Sequence, residues 1–579
     1  MSKRIVLPLA GAAALAVLFL VVLYVLRPLS GGPDQVAQLP TSAPTMTPGS
    51  PASPSATPQQ APASPTSPPA TPQQTPAPPA TPPASQIELA SLPPLSALMG
   101  GGYGGGGGAE ILPPQTEYVL NATLPESPPQ MPFYVQNEPA PLTVEYARQV
   151  AARLGLDAKV YAPQPLDTAL APVNVPWLAA VDGPRQVLVD PAGTFDYTDW
   201  SRSPWRSDYQ YPPQKLPPLD QAVGSAERFL EAAGLLGFPY RTAYPSGDVV
   251  HFFRVLDERW TLVDSFADVY VGSGGQVWSM TYRDLDLHSV GEYPIISAQE
   301  AWDMVRMSTS SSGDTSGRVW VRSRPALPAW GEFSAGTPRY WTRRYPVDQH
   351  ADLFGSLRVL YPAEPGDAVY VTMNGLVLTG DPGALQALVQ AYQALVQSSG
   401  DTETPVHVWG QVQDAGGYLT LEVEGCENGF TMDALAGWQD ASGAPYYWSG
   451  TIQRQGDQGL LLTESGRAVQ VPDLPADLAD GTAVFVQGGL VGDSLEWHTI
   501  QEALIDEGGN GGNGGEGGMA VVEQVELIYY IPPADSIPPD STLEFAYRCA
   551  QPVWRLSGHT GQGLAFEVYV QAVVDAYLK

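Results

Sequence analysis

The stretch Q551-P-V-W-R-L-S-G-H-T-G-Q-G-L-A-F-E-V-Y-V-Q-A-V573 decides how the chain is read. Two runs alternate apolar and polar residues around the turn S557-G-H-T-G-Q-G563, the period of strands with one buried face. This is a β-hairpin. A hairpin alone is marginal in water and needs a helix or more strands behind it. Upstream, G508-G-N-G-G-N-G-G-E-G-G518 reads as a flexible spacer, so the rest of the domain must lie further back.

Three helix starts supply it. L142-T-V-E-Y-A147, L219-D-Q-A-V223 and I296-S-A-Q-E-A301 each give an apolar residue, then Thr, Asp or Ser as N-cap, then an amphipathic run. Ser297 and Glu300 have the spacing of a capping box. The first helix is followed by strand-like runs at Ala158–Tyr161, Trp177–Val181 and Gln186–Asp190. The second is followed by Val249–Leu256, Asp268–Val271 and Val277–Tyr282, with G272-S-G-G275 as a turn. After the third comes S308-T-S-S-S-G-D-T-S-G317 and a long segment of different character. Its strands return at Val521–Ile531, Pro552–Leu556 and Ala565–Val570, so the opening hairpin belongs to the third helix. Insertion at a loop is tolerated when the loop ends lie close together.

The expected fold is therefore α+β: three helix-plus-antiparallel-meander units, over 131–215, 216–295, and 296–318 with 519–579. The third is interrupted by a β module with a C-terminal helix (319–400), a β-barrel (401–505) and the Gly-rich linker 506–518. D352-L-F-G-S-L-R-V-L360, V406-H-V-W-G-Q-V412 and V484-F-V-Q-G-G-L490 share a central Gly, which suits strands coiling around a small barrel, and 401–505 resembles an OB-like barrel. Pro382 opens a helix with Leu385, Leu388, Val389, Tyr392 and Leu395 as its apolar face.

The I296-S-A-Q-E-A301 opening followed by a three-stranded meander resembles PepSY-type domains. An N-terminal anchor carrying such units outside the cell resembles the YycH/YycI class of sensor-kinase regulators. The first resemblance implies inhibition or regulation of proteases outside the cytoplasm. The second implies restraint of a membrane sensor kinase. Neither implies catalytic residues, and the insertion belongs to neither pattern.

The N-terminus sets the expected compartment. After a stub of residues 1–4, the segment 5–27 carries no charge from Ile5 to Leu26 and is long enough to span a bilayer. Lys3 and Arg4 precede it, which places the N-terminus in the cytoplasm and the bulk of the chain outside. A cleaved signal peptide is the rival reading; its apolar core is usually shorter and ends in an A-x-A-like site, for which S30-G-G32 is a poor match. Residues 28–130 read as a disordered tether. No charge occurs from Gln35 to Ile87, Pro, Ala, Ser, Thr and Gln dominate, and G100-G-G-Y-G-G-G-G-G108 follows. Extended at about 3.1 Å per residue, it would reach on the order of 150 Å, the scale of a cell-wall layer.

The 579 residues carry 60 acidic and 28 basic side chains, a net charge of −32. That argues against nucleic acid, which needs a basic face. Chemistry is hard to find. The six histidines, His251, His288, His350, His407, His498 and His559, form no zinc motif, and there is no G-x-S-x-G elbow, Walker loop or calcium loop. No catalytic residue, metal or cofactor is expected. His559 reads as a solvated turn residue. Cys426 and Cys549, the only cysteines, either pair outside the cell or stay as partly buried thiols.

Two surface candidates remain. The stretch F195-D-Y-T-D-W-S-R-S-P-W-R-S-D-Y-Q-Y211 reads as an aromatic loop. Tyr197, Trp200, Trp205, Tyr209 and Tyr211 could stack on sugar or peptide, or pack between units one and two, which is the preferred reading. Asp196 and Asp199 could only remotely be a glycosidase pair. Arg318, Arg322, Arg324, Arg339, Arg343 and Arg344 cluster in an acidic chain, either as an anion patch for a phosphate-bearing or carboxylated wall polymer or as ion-pair partners of neighbouring acids. The function expected is a single-pass, extracytoplasmic, non-enzymatic protein that binds or regulates another envelope protein: a sensor kinase, protease or transporter. The alternative is a surface protein that binds cell-wall polymer or carbohydrate.

Overall fold

The structure, a computed structural model, describes Leu92, Leu95 and residues 116–578, except 167–172, 174, 204–209, 214, 243–246, 309–316, 325–329, 334–336, 400–404, 428–445, 457, 464, 504–517, 533–547 and 562. The span expected over 5–27, nearly all of the tether and the linker 506–517 lie outside these residues. No helix among the described residues is long and apolar enough to cross a membrane. The described chain is mostly β, with four α-helices and a five-stranded barrel.

In chain order, β1 (Glu117–Leu120) and β2 (Gln130–Gln136) precede α1 (Val144–Arg153), followed by β3 (Lys159–Ala162), β4 (Leu178–Asp182), β5 (Arg185–Val189), β6 (Thr194–Asp199) and β7 (Gln210–Tyr211). Next come α2 (Leu219–Ala232), β8 (Tyr240–Thr242), β9 (Val249–Leu256), β10 (Trp260–Val271), β11 (Val277–Arg283) and β12 (Leu287–Pro294). Then α3 (Ala298–Ser308), β13 (Val319–Arg324), β14 (Tyr340–Thr342), β15 (His350–Gly355), β16 (Arg358–Pro362), β17 (Tyr370–Met373), β18 (Leu376–Thr379) and α4 (Pro382–Ser399). The chain continues with β19 (Val406–Asp414), β20 (Leu419–Glu427), β21 (Tyr447–Gln455), β22 (Gln458–Thr463), β23 (Ala468–Val471), β24 (Ala483–Val491) and β25 (Ser494–Glu502). It ends with β26 (Met519–Tyr530), β27 (Cys549–Thr560) and β28 (Ala565–Gln571).

Local chemistry sets the helix starts. The Thr143 hydroxyl accepts from the Tyr146 amide at 3.0 Å. The Ser297 amide donates to Glu300 Oε2 at 2.7 Å, and the Glu300 amide donates to Ser297 Oγ at 3.2 Å, the two halves of a capping box. The second helix differs from expectation. It starts two residues early, with Pro218 at the N-cap, and Asp220 sits in its first turn, where it complements the helix dipole.

The strands after α1 and α2 join into one antiparallel sheet in the order β8-β9-β10-β11-β6-β5-β4-β3. Both helices pack on the same face of it. A second sheet runs β13-β28-β27-β26, and α3 packs against β13 and β28. The inner residues under all three helices form one apolar core. Two sequence boundaries change here. Residues 117–120, expected in the tether, form β1 and pair in parallel with β26. Residues 319–324, expected in the insertion, form β13 and pair with β28, because Val319 and Val321 alternate onto the core side. The insertion is therefore the chain between β13 and β26.

That insertion builds two bodies. The first is a sheet in the order β15-β19-β20-β18-β17-β16, with Leu385, Leu388, Val389 and Tyr392 of α4 buried against it. The stretch 352–360 is two strands rather than one, since the chain breaks after Gly355 and β16 pairs elsewhere. The second is the barrel, β23-β22-β21-β24-β25, closed by a parallel contact between β25 and β23. The expected limits of 401–505 are too wide: β19 and β20 belong to the first body, leaving the barrel to 447–502. Edge pairings join both inserted bodies to the rest of the chain: β16 pairs with β3 of the core sheet, and β7 pairs with β14 at the edge of the barrel sheet.

Trp554 ties the closing hairpin to α3. It is fully buried, and its indole N–H donates to the Ile296 carbonyl at 3.1 Å. Trp554→Ala should lower folding stability by about 3–5 kcal/mol. Urea unfolding of the full chain checks this, and an unchanged midpoint would mean that α3 is held by other contacts.

Candidate functional site

The expected aromatic loop begins as a strand. In β6, alternation sends Phe195 and Tyr197 to the helix side, where Phe195 stacks on Tyr282 at 4.9 Å and Tyr197 meets Phe229 of α2 at 5.2 Å. Tyr197 is thus core, not platform. Tyr211 is buried on β7, edge-on to Phe333 at 5.6 Å. Trp200 is half-buried, and Trp205 and Tyr209 lie outside the described residues. Asp199 accepts from the Ser201 amide and hydroxyl at 3.1 and 2.6 Å and pairs with Arg202 at 3.2 Å. Being three apart on one strand, Asp196 and Asp199 stand on opposite faces and cannot flank one glycosidic bond.

The arginine segment does not converge either. Arg318 is buried, donates to the carbonyls of Gln571 and Val573 at 2.7 and 2.6 Å, and pairs with Asp575, locking the C-terminus. Arg339 pairs with Glu502, and Arg343 pairs with Glu496 and, at 3.3 Å, with Asp473. Arg344 is exposed. The backbones of Arg322 and Arg324 lie opposite Glu567 and Ala565 on β28, and their side chains are outside the described residues. Ion pairing with neighbouring acids is what Arg318, Arg339 and Arg343 do.

Cys426 and Cys549 form no disulfide. Cys426 faces Val408 in the inserted sheet, Cys549 faces Val135 in the body, and burial pushes the Cys549 thiol up to about 12. His559 lies at the end of β27, half-exposed, with Nδ1 2.9 Å from Glu523 Oε2.

The register of the core sheet assembles a different set. His251 on β9 stands opposite Asp268 on β10, Asp268 opposite Thr281 on β11, and Thr281 opposite Asp196 on β6. His251 Nδ1 lies 2.8 Å from Asp268 Oδ1, and the Thr281 hydroxyl donates to Asp196 Oδ1 at 2.6 Å. The flanking Val250, Phe252, Val269, Met280 and Tyr282 all enter the helix-side core, so this row occupies the opposite, helix-free face. Burial pushes the Asp196 carboxyl up to about 7; the Thr281 hydrogen bond opposes the rise, and the charges of Asp190 and Asp268 add to it. The row continues through Leu188, Ala179 and Tyr161, which Leu360 and Tyr370 of the inserted sheet cover. Its polar half thus lies beside the seat of the insertion.

Imidazole, carboxyl and hydroxyl make a hydrogen-bonded row, largely buried, in which burial brings the Asp196 carboxyl to about 7. No group of three or more metal-ligand side chains occurs among the described residues. The sequence held one signal for this row: His251 and Asp268 are polar intrusions in largely apolar strands. Which strands would be neighbours was not legible. Comparison with protein-family models, curated proteins and solved structures found no match.

Asp196 sets a pH dependence. Its pKa is raised in the fold, so the stability it allows is complete below the ordinary carboxylate pKa and is lost as pH rises through about 7. Asp196→Asn cannot ionise and still accepts from Thr281. Thermal unfolding should show the variant gaining over wild type from pH 4 to pH 7, then levelling off. A pH-independent difference would mean that Asp196 stays ionised in the fold.

Proposed function

We propose that the chain is a single-pass, extracytoplasmic, non-enzymatic protein that binds or regulates another envelope protein, such as a sensor kinase, protease or transporter. In this reading residues 5–27 form the anchor, with the N-terminus in the cytoplasm, and the tether lifts the body away from the membrane. The body consists of three PepSY-like or YycH/YycI-like units, the third opened by the insertion with its OB-like barrel. The observation that carries the reading is the row His251–Asp268–Thr281–Asp196. These groups pair with one another along a helix-free face of the sheet, outside the apolar core. A face of this kind suits a polar segment of a partner protein.

A second reading is a binder of cell-wall polymer or carbohydrate. The aromatic stretch and the arginine segment, which first suggested it, are largely committed to internal contacts, so it rests on a different face of the barrel.

Crosslinking in intact cells tests the first reading, with the full-length chain as bait beside a version carrying an unrelated anchor helix. A sensor kinase, protease or transporter should crosslink to the native form, and His251→Ala with Asp196→Asn should weaken it. Wall fragments alone, captured equally with either anchor, would replace this reading with the second.

A further inference from the structure

The outer face of the barrel carries two rows of uncharged side chains. Directly paired residues project to the same side of a sheet. Ser449, Phe485, Gln501 and Tyr340 form one row across β21, β24, β25 and β14. Tyr447, Gln487, Thr499 and Thr342 form the next. Their chain neighbours Trp448, Val486, Ile500 and Trp341 fill the barrel interior, so both rows point outward. Phe485 is 39% exposed, too much for a core residue of that size, and the other seven are half-buried.

Beyond the second row the surface meets a wall. The Phe354 ring of the inserted sheet lies where any side chain at Gly489 would collide with it. Beside it, Tyr446 and His498 stack with centroids 5.6 Å apart and planes 15° apart. Burial pushes His498 down to about 3, so its ring is neutral. The nearest guanidinium groups, Arg339 and Arg343, are engaged by Glu502 and Glu496. Floor and wall together form an uncharged corner on a chain with a net charge of −32.

We propose that this corner binds an uncharged carbohydrate chain, with Phe485 as the platform for one sugar ring and Gln487, Gln501 and Ser449 as its hydrogen-bonding partners. A sugar ring offers an apolar C–H face fringed by hydroxyls. An aromatic ring flanked by amides and hydroxyls, which both donate and accept, is its complement. An ionic ligand would meet no counter-charge here, and an anionic polymer would be repelled by the whole chain. An apolar peptide would strip water from Gln487 and Gln501 without replacing it. The inference names the ligand class for the second reading above and is independent of the partner-protein reading.

Titration calorimetry of the full-length chain with an N-acetylglucosamine hexamer and a cellulose hexamer tests it, with a galacturonate hexamer as the anionic comparison. At least one neutral oligosaccharide should bind. Phe485→Ala should weaken that binding about tenfold, the loss of one stacked ring, while Phe485→Tyr retains it. Gln487→Ala should weaken it too. Because Phe485 is exposed, unfolding midpoints should be unchanged, which separates lost binding from lost fold. No binding of either neutral oligosaccharide, binding that Phe485→Ala leaves intact, or binding of the galacturonate alone would each overturn the inference, and none would touch the crosslinking result.

Discussion

The architecture depends on the ladder between β13 and β28. It joins the first strand after α3 to the last strand of the chain, and everything between β13 and β26 is free to become something else. The register shows why this is geometrically cheap. Arg324, where the chain leaves, lies in one row with Ala565, His559 and Val521, and the chain re-enters just before Val521. Exit and entry are three strand spacings apart, about 14 Å, along one edge of one sheet. An insertion of any size can leave and return there without stretching its host. His559 sits in that row between the two ends, paired with Glu523.

Closure at the edge does not make the insertion a loose appendage. The β16–β3 pairing extends a body sheet with a strand from the insertion, and the β14–β7 pairing adds a strand of the body to the barrel sheet. Arg148–Glu364 and Lys159–Asp367 bridge the first of these seams, but exposed pairs of this kind contribute little. The apolar contact of Leu360 and Tyr370 with Tyr161, Ala179 and Val181 contributes more, and it covers one half of the row whose other half is polar. The position of the insertion thereby defines where the polar surface begins. A partner on that face would meet body and insertion together.

Much of the fold was legible because it is local. The caps of α1 and α3, the period of the closing hairpin and the apolar face of α4 are all written in adjacent residues, and each appears where its pattern places it. What failed needed long-range information. Phe195–Asp199 looked like part of a loop because Asp and Thr alternate with its aromatics, yet that alternation is what an edge-to-centre strand with one polar face requires. The barrel drew in Val406–Val412 because its glycine resembled those of the true barrel strands. That glycine instead marks a bulge where β19 crosses β20. The row His251–Asp268–Thr281–Asp196 spans four strands, one following α1 and three following α2, and could not be assembled without the register.

The arginine segment shows how a charge count misleads in a strongly acidic chain. Six guanidinium groups within a short stretch suggest an anion site only if they are free, and where acids outnumber bases two to one, pairing is the default. Arg318 goes further and spends its donors on two backbone carbonyls at the chain end, a buried use that a lysine, lacking the planar fork, would serve poorly. Once those charges are neutralised locally, the two faces proposed above as binding surfaces differ in kind. One is the weakly acidic sheet face, whose charge varies with pH near neutrality. The other is the uncharged barrel corner, indifferent to pH and salt because nothing in it ionises there. Were both proposed surfaces occupied, their opposite sensitivities to pH would let one ligand be released while the other is held.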